Sequence, residues 1–433
     1  MLNELLEFVA SLTPGKFFAL FWYFFVFELT RYILFDGAMI FAYLTGRILK
    51  RKSYLQARNL LFNQQPLVSV IAPGRNEGRY IPKLAATLRD QTYRNYELIV
   101  VDDGSDDDTD RICRRLHKQG AIDKFFRNSR RGGKASAANL ALRYATGEFI
   151  VHIDADSHLR EDALERILTP FYMDENIGAV GGDIRVANLG DSLCASLQGV
   201  EYMKSLSTGR TVASMLRILR IVSGAYGAFR GDVLRRIKGW DPGPGLDGDL
   251  TIKIRKLGYR VVHSPHSVCY TNVPASFRKL SVQRYRWERS LIRFRFRKHR
   301  DLLSLKSSNF RLANMLTILD NILYNFVFNL KWWVYILQIL LFHNTLLPYI
   351  AAVNLILYTG SNAVQFLFAC LLYGKTLRGS QLSLAVFLPL MPLYMGWYLR
   401  VVRTYAHLME LLFSVSYRDS WTPWKVSRES RDR

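Results

Sequence analysis

Two carboxylates spaced two positions apart, Asp154 and Asp156, are the first residues of this sequence that suggest chemistry. Alternate residues of an extended segment point the same way, so both can reach one hard cation, or one cation and a ribose. That arrangement suits a nucleotide diphosphate, with Mg²⁺ or Mn²⁺ offsetting the charge of the leaving group. Such a pair is frequent by chance, so its place in the fold decides its meaning.

Two other short motifs carry charged residues near the expected start of a helix. Gly132-Gly133 followed by Lys134 offers backbone N–H groups and a point charge, a combination suited to phosphate. Asp247 precedes a helical pattern, and it is either a helix cap or a general base that removes a proton from an acceptor hydroxyl. Asp249 is a second candidate for that base.

Residues 283–287 read Gln-Arg-Tyr-Arg-Trp. On a helix, Gln283, Arg286 and Trp287 share one face, because they stand at positions i, i+3 and i+4. A guanidinium pairs with phosphate oxygens, and an indole packs against the C–H face of a sugar. The alternative is a basic interfacial helix that binds anionic lipid.

The elements that must position these residues follow the pattern of a parallel α/β domain. Between residues 66 and 271, short apolar runs alternate with polar helical stretches. Strands predicted at 67–72, 97–101 and 148–153 each end in a polar cluster. Ligands of open α/β sheets bind beyond the carboxyl ends of strands, so these clusters lie where a binding site is expected. The alternative is that they are ordinary turns rich in Asp and Gly.

Long apolar segments flank this domain and predict membrane spans. The first lies at 17–44, where we expect Glu28 and Arg31 to pair at i, i+3. Residues 332–374 hold no formal charge and are long enough for two spans, and 379–399 for another. Counting 312–330 as a span gives five crossings and an internal C-terminus, which we favour; counting it as interfacial gives four and an external one.

Charge and cysteine content narrow the function classes. The 59 Lys and Arg against 36 Asp and Glu give a net charge of +23, and 12 of the basic residues fall within 278–311. Basic flanks beside apolar segments place the domain on the cytoplasmic side. Nucleic-acid binding is not expected, since no such motif occurs. The four cysteines show neither zinc nor disulfide spacing.

Taken in order, these motifs resemble membrane-integrated, processive, inverting glycosyltransferases of family 2, the class of cellulose, chitin, hyaluronan and poly-N-acetylglucosamine synthases. The resemblance covers roughly residues 66–300. It implies a GT-A α/β domain with a mixed, mostly parallel sheet, joined to an α-helical transmembrane bundle. The motifs that carry it are Asp103, Asp154 with Asp156, Ser223-Gly224, Leu246-Asp247 and Gln283 to Trp287.

The resemblance also implies roles for individual residues. Asp247 is the expected catalytic base, and Asp156 the expected metal ligand. The expected acceptor contacts are Trp287, Ser223 and Gly224. The residues expected to bind the nucleotide sugar are Glu77, Asp103, Lys134, Asp154, Gln283 and Arg286. Near the C-terminus, Trp421, Thr422 and Lys425 weakly resemble a gating loop over the nucleotide site, with an interfacial anchor as the alternative.

The sequence departs from this family at two places. An acid usually precedes the base, but position 246 is Leu, which leaves the role of that acid unfilled. An aromatic residue often follows the first strand where this chain has Gly74-Arg75. The planar guanidinium of Arg75 is able to stack on a base, which leaves the base of the donor open. A UDP-sugar is the default expectation.

We therefore expect a processive enzyme that makes a β-linked extracellular polysaccharide from a nucleotide sugar at the plasma or inner membrane. A transferase that glycosylates a lipid carrier and a catalytically decayed subunit of a secretion complex are the alternatives. The other expected partners are the bilayer, the growing polymer and export subunits. The expected divisions are a membrane segment at 1–46, a basic linker at 47–65, a catalytic domain at 66–275, interfacial helices at 276–311, membrane helices at 312–415 and a cytoplasmic tail at 416–433.

Overall fold

A single sheet of eight strands forms the centre of the domain in this computed structural model, which describes residues 2–243, 245–304 and 311–418. The strands are β1 (Val68–Gly74), β2 (Tyr96–Asp102), β3 (Lys124–Arg127), β4 (Phe149–Ile153), β5 (His158–Leu159), β6 (Ile177–Val186), β7 (Tyr226–Arg230) and β8 (Arg260–Thr271). Their order across the sheet is β3-β2-β1-β4-β7-β6-β8-β5. The three predicted strands are β1, β2 and β4.

The sheet is mixed and mostly parallel, as expected. β1 pairs in parallel with β2 and with β4, β2 with β3, and β6 with β8. β7 runs antiparallel between β4 and β6, and β5 runs antiparallel to β8. Because β1, β2 and β4 are parallel neighbours, their polar carboxyl ends lie at one edge of the sheet.

Helices cover both faces of this sheet. They are Arg51–Gln64, Ile81–Arg89, Thr109–Lys118, Lys134–Tyr144, Ala163–Met173, Leu193–Glu201 continued by Tyr202–Thr208 and Gly209–Met215, Gly231–Arg236 and Leu246–Lys256. Successive side chains of β1 enter different cores: Val70 packs in one apolar cluster and Ile71 in another. This alternation is why a strand buried on both sides is a continuous apolar run.

Three helices are long and apolar enough to cross a membrane: a first long helix (Pro14–Leu49), a second (Leu312–Phe342) and a third (Asn344–Thr376). A bent helix pair, Gly379–Leu390 and Pro392–Phe413 with a 59° bend, gives a fourth candidate at most. The expectation of five crossings is therefore wrong for the described residues. The segment 312–330 continues into the next apolar segment, since neither Gly nor Pro interrupts the second long helix.

The expected pair between Glu28 and Arg31 does not form. Residues Phe24–Phe35 wind as a π-helix, and Arg31 pairs instead with Asp36, five positions on. Glu28 accepts hydrogen bonds from Ser361 Oγ at 2.7 Å and Gln365 Nε2 at 2.9 Å. The wider π winding changes which residues share a face, so the i, i+3 rule of the α-helix fails there.

The helix Phe277–Leu291, which we call the motif helix because it carries residues 283–287, packs along the second half of the bent helix pair. Arg403 Nε lies 3.0 Å from Glu288 Oε1 across this contact. The π-helix Ile292–Lys298 and the short helix Arg300–Leu303 follow the motif helix. These segments join the sheet domain to the long helices.

Candidate active site

Acidic side chains gather where β1 and β4 end. Burial, then Asp156 and Asp154, raise the pKa of Glu77 to about 7. Burial, then the neighbouring Asp154, likewise raises the pKa of Asp156 to about 6. These carboxylates are crowded and partly desolvated, so their negative charge is poorly compensated in the protein alone. A cation placed among them would relieve that repulsion.

The donor set at this edge fits a divalent ion shared with a ligand. No group of three His, Cys, Asp or Glu side chains that would hold a metal occurs within the described ranges. Hard cations take six or more oxygen ligands, and Mg²⁺ typically uses one or two carboxylates with substrate phosphates. Asp156 and a nucleotide diphosphate together would supply such ligands, as the resemblance implies.

Lys134 links the acidic strand end to the residue expected to be the base. It follows Gly133, whose φ of +85° suits glycine, and it opens the helix Lys134–Tyr144. Its Nζ lies 2.5 Å from Asp154 Oδ1 and 3.5 Å from the carbonyl oxygen of Gly224. Burial lowers the pKa of Lys134, but the carboxylates of Asp154, Asp247 and Asp156 outweigh it and raise that pKa. The ammonium therefore stays charged near these three carboxylates.

Asp247 lies in the first turn of the helix Leu246–Lys256, but it does not cap it. The N-cap is Gly245, which has no side chain to donate or accept. A Cβ built on Gly224 would lie 2.3 Å from Asp247 Oδ1, so only glycine allows this carboxylate its position. Burial raises the pKa of Asp247, against the opposing effect of Lys134. A half-buried carboxylate with a raised pKa is suited to general base work.

Asp249 is occupied by structural partners, which argues against it as the base. It is fully buried, and its carboxylate lies 2.7 Å from His299 Nε2 and 2.8 Å from Lys298 Nζ. These contacts connect its helix to the segment that follows the motif helix. Leu246 is partly buried and packs against the apolar cluster that contains Ile71, so nothing at position 246 replaces the family's acid.

Arg210 is a residue near the site that the sequence did not single out. Its Nη1 is buried without a hydrogen-bond partner in the described part of the chain. Its positive charge lowers the pKa of Asp247, although burial has the larger effect on that pKa and raises it. A lone arginine in a polar helix gave no signal in the sequence, because its nearness to Asp247 arises only from the fold.

Asp103 organises the glycine turn that precedes Lys134. Its Oδ1 accepts from the N–H of Gly132 at 2.8 Å and its Oδ2 from the N–H of Gly133 at 2.7 Å. Asn128 Nδ2 donates to the same carboxylate at 2.8 Å. The expectation that these two amides are free for phosphate is therefore wrong. A buried carboxylate must be hydrogen-bonded, and these amides are its nearest donors.

Arg75 extends across the ends of β1 and β2. Its Nη2 lies 3.2 Å from Asp106 Oδ2, and its Nε donates to the carbonyl oxygen of Gly104 at 3.4 Å. The guanidinium therefore lies beyond the carboxyl ends of β1 and β2, beside the turn at Gly104.

The motif helix presents Trp287 to solvent, with 40% of the residue's surface exposed. Gln283 Oε1 is buried without a hydrogen-bond partner in the described residues, so it can accept one from a ligand. Arg284, which had no expected role, is paired with Glu201. The residues expected to form a gating loop, Trp421, Thr422 and Lys425, lie outside the described residues.

Tyr202 is influenced by charges from both the motif helix and the acidic strand end. Burial raises the pKa of this tyrosine, Arg284 lowers it, and Asp156 contributes a smaller increase. The fold thus brings Arg284 of the motif helix and the carboxylate of Asp156 within electrostatic range of one hydroxyl, although Asp156 and Gln283 stand 127 positions apart in the chain.

Comparison with known proteins adds an independent finding. Residues 69–237 match the family model described as Glycosyl transferase family 2. A poly-beta-1,6-N-acetyl-D-glucosamine synthase of Staphylococcus epidermidis is 26% identical over 222 residues, which are 51% of this chain and 53% of that protein. The synthase of Staphylococcus aureus strain COL is 25% identical over 214 residues, 49% and 51% respectively. The chain spans about half the length of the curated relatives it matches.

A solved structure resembles almost the whole chain. It is the mannosyltransferase PcManGT from Pyrobaculum calidifontis in complex with GDP-Man and Mn²⁺, with a TM-score of 0.55 and 21% sequence identity. The alignment covers 87% of this chain and 99% of that one. At this identity the likeness establishes the fold alone.

Proposed function

We propose that this protein is a processive, inverting glycosyltransferase, because residues 69–237 match the Glycosyl transferase family 2 model and the chain has the fold of a solved mannosyltransferase. It transfers sugar from a nucleotide-sugar donor to a growing β-linked polysaccharide and passes the polymer through its membrane helices. The observation that carries this proposal is the placement of Asp247: half-buried, against Gly224, and under the charge of Lys134, whose ammonium pairs with Asp154.

The donor binds beyond the carboxyl ends of β1, β2 and β4. Asp103 and Arg75 flank the base, and Asp154 and Glu77 face the ribose and diphosphate. Asp156 would hold Mg²⁺ or Mn²⁺ together with the diphosphate, and the ion would offset the charge of the leaving group. The mannosyltransferase of similar fold is in complex with GDP-Man and Mn²⁺, which supports the use of a divalent ion.

The acceptor approaches from the side of Asp247. Its terminal sugar packs on Trp287, and Gln283 with Arg286 binds the diphosphate of the donor. Asp247 removes the proton of the acceptor hydroxyl, which then attacks the anomeric carbon opposite the nucleotide diphosphate. Attack from that face inverts an α-linked donor and leaves a β-linkage. Lys134 stays protonated and faces the negative charge that builds on the diphosphate.

A series of polar contacts between the catalytic domain and the long helices supports export of the product. Lys204 Nζ, from the helix after Glu201, donates to Asn362 Oδ1 inside the third long helix. The Glu28 carboxylate, in the first long helix, accepts hydrogen bonds from Ser361 and Gln365 of the third long helix. Polar residues inside membrane helices are costly, and they commonly mark a substrate path. Hydroxyl groups of a sugar polymer match these donors and acceptors.

The bent helix pair supports a cytoplasmic position for both the catalytic domain and the C-terminal part of the chain. Before it, the carbonyl oxygen of Thr376 accepts from Arg185 Nη1 of β6 at 2.9 Å. After it, the carbonyl oxygen of Ser416 accepts from Arg293 Nη1 at 3.0 Å. Both ends thus lie on the side of the catalytic domain, and the pair enters and leaves the membrane on one face. With three crossings, the basic residues that follow the first long helix favour a cytoplasmic catalytic domain.

The experiment that tests this function uses the purified chain with Mg²⁺ or Mn²⁺ and a panel of UDP- and GDP-linked sugars. Release of nucleotide diphosphate and product size are measured for each donor. We expect one donor to give polymer, and Asp247→Asn to reduce kcat by about a hundredfold or more while donor KM changes little. Nucleotide release without polymer, or single-sugar lipid products, would contradict processive synthesis.

A further inference from the structure

Arg284 forms a buried pair that no role in the proposed reaction requires. Its Nη1 lies 2.8 Å from Glu201 Oε1, and its Nη2 donates to Glu201 Oε2 at 3.0 Å. The hydroxyl of Tyr394 donates to the same Oε2 at 2.7 Å. A bidentate pair of this kind fixes the plane of the guanidinium as well as its position. We call Glu201, Arg284 and Tyr394 the clamp.

The clamp holds its guanidinium against Trp287, which we call the acceptor platform because the terminal sugar of the acceptor is proposed to pack on it. Arg284 Cζ lies 4.6 Å from the centroid of the Trp287 ring, one helical turn further along. A cation over an indole is attracted by the ring face. Trp287 nevertheless keeps 40% of its surface exposed, so part of the ring stays open to a ligand.

Each member of the clamp comes from a different part of the molecule. Glu201 ends the helix Leu193–Glu201 of the catalytic domain, Arg284 lies on the motif helix, and Tyr394 lies on the bent helix pair. The carboxylate of Glu201 therefore connects the sheet domain, the acceptor platform and the membrane part through hydrogen bonds alone. Both terminal nitrogens of Arg284 are used in this contact, which separates its task from the diphosphate binding proposed for Arg286.

We propose that Arg284 is a positioning residue, fixed by Glu201 and Tyr394, that sets the orientation of the Trp287 ring for the acceptor sugar. The inference rests on the proposed function, since it requires an acceptor at Trp287. It adds that retention of the polymer end depends on a contact with the bent helix pair. Loss of the clamp therefore weakens acceptor binding and shortens the product, with the donor site unchanged.

The test measures donor KM, acceptor KM and product length for Arg284→Gln, Arg284→Lys and Tyr394→Phe, with the donor that wild type polymerises. A fragment of the wild-type product serves as acceptor. We expect acceptor KM to rise about threefold to tenfold in Arg284→Gln, with donor KM unchanged. Arg284→Lys keeps the charge without the bidentate pair, so its effect lies between wild type and Arg284→Gln.

Tyr398→Phe is the matched control. Tyr398 lies one turn after Tyr394 on the same segment, and its hydroxyl donates to the carbonyl oxygen of Phe277 at 2.8 Å. Its other hydroxyl contact is with Ser281 Oγ at 2.7 Å, so its hydroxyl joins the same two helices without contacting Glu201 or Arg284. Its ring stacks on that of Tyr394 with centroids 5.9 Å apart, a contact that both Phe variants keep. If the clamp only stabilises the fold, Tyr394→Phe and Tyr398→Phe lower the unfolding temperature by similar amounts, and neither changes the acceptor KM.

The outcomes separate this inference from the proposed function. If wild type makes polymer and Tyr394→Phe raises acceptor KM more than Tyr398→Phe does, the clamp positions the platform. If wild type makes polymer but acceptor KM and product length are the same in every variant, the inference is wrong and the proposed function stands. If the wild type makes no polymer from any donor, that result alone contradicts the proposed function. The role inferred for the clamp is then wrong as well, because it requires an acceptor at Trp287.

Discussion

Asp247 and Asp249 stand two positions apart in the first turn of one helix, and their surroundings differ. Asp247 faces Gly224 and the charge of Lys134, whereas Asp249 is fully buried against His299 and Lys298. A carboxylate that must accept a proton needs a position open to the reacting hydroxyl, and Asp249 has none. Substitution of the two residues by Asn is therefore expected to have different effects.

We expect Asp249→Asn to lower the unfolding temperature by about 5 to 10 °C, because it leaves Lys298 and His299 facing a neutral amide in a buried place. Thermal unfolding in detergent measures this effect. Asp247→Asn, the paired variant, should lose kcat with little loss of unfolding temperature. The reverse pattern would show that Asp249, and not Asp247, is the base.

Arg210 should contribute to the lower pH limit of activity, beside the larger effects of burial and Lys134 on the pKa of Asp247. The charge of Arg210 lowers the pKa of Asp247, so Arg210→Gln raises that pKa. A base works only when deprotonated, and the acidic limb of the pH profile of kcat therefore moves to higher pH, with activity at high pH retained. The pH profile of Arg220→Gln is the control, since Arg220 pairs with Asp320 at 3.5 Å. An unshifted limb in Arg210→Gln would contradict this assignment.

At the scale of elements, hydrogen bonds from neighbouring segments hold the strands that carry the site. Glu97 of β2 accepts from Ser69 Oγ of β1 at 2.5 Å and from the N–H of Thr146 at 2.8 Å. Its Oε2 lies 2.6 Å from Lys124 Nζ of the edge strand β3. One buried carboxylate thus joins the amino ends of three strands and the turn before β4, at the edge of the sheet opposite the site.

This carboxylate should make the domain sensitive to acid. Burial alone would raise the pKa of Glu97, but hydrogen bonds from Lys124 and Ser69 outweigh it and lower the pKa to about 2. A depressed pKa stabilises the fold above the ordinary pKa of about 4.3, and the contribution is lost as pH falls towards 2. Glu97→Gln should unfold at lower temperature at pH 7, with a smaller further decrease between pH 5 and pH 3. Equal pH dependence in both proteins would refute this.

At the scale of the whole molecule, the bent helix pair decides the topology. The apolar segment at 379–399 is long enough for a crossing by composition alone. The contacts of Thr376 with Arg185 and of Ser416 with Arg293 support instead an entry and an exit on one side. With three crossings, the turn at His343 and Asn344 lies on the opposite side of the membrane.

Cysteine labelling in sealed cells tests this topology. We expect Asn344→Cys to react with a membrane-impermeant maleimide, whereas Lys375→Cys and Ser414→Cys react only after permeabilisation. The native cysteines Cys113, Cys194 and Cys269 are buried, and Cys370 is partly buried. The wild-type chain therefore serves as the background control. Labelling of Ser414→Cys in intact cells, with Lys375→Cys protected, would establish a fourth crossing.

The sequence by itself predicted the α/β domain and the positions of the strand-end carboxylates. Three predicted strands match β1, β2 and β4 to within two residues at each end. Each is buried on both faces and therefore has a continuous apolar run, and parallel strands necessarily bring Asp103 and Asp154 to one edge. The long apolar helices were equally visible, because lipid and core both demand apolar side chains.

Only the tertiary structure decided which polar groups meet. The clamp of Glu201, Arg284 and Tyr394 joins residues up to 193 positions apart, and the choice of Asp247 over Asp249 depends on contacts with other segments. The local sequence pattern predicted the wrong partner for Arg31, because the backbone there is a π-helix and not an α-helix. It also did not predict that Asp103 accepts hydrogen bonds from backbone amides distant in the sequence. Periodicity reports the environment along one element, whereas hydrogen-bond partners are fixed by the packing of several elements.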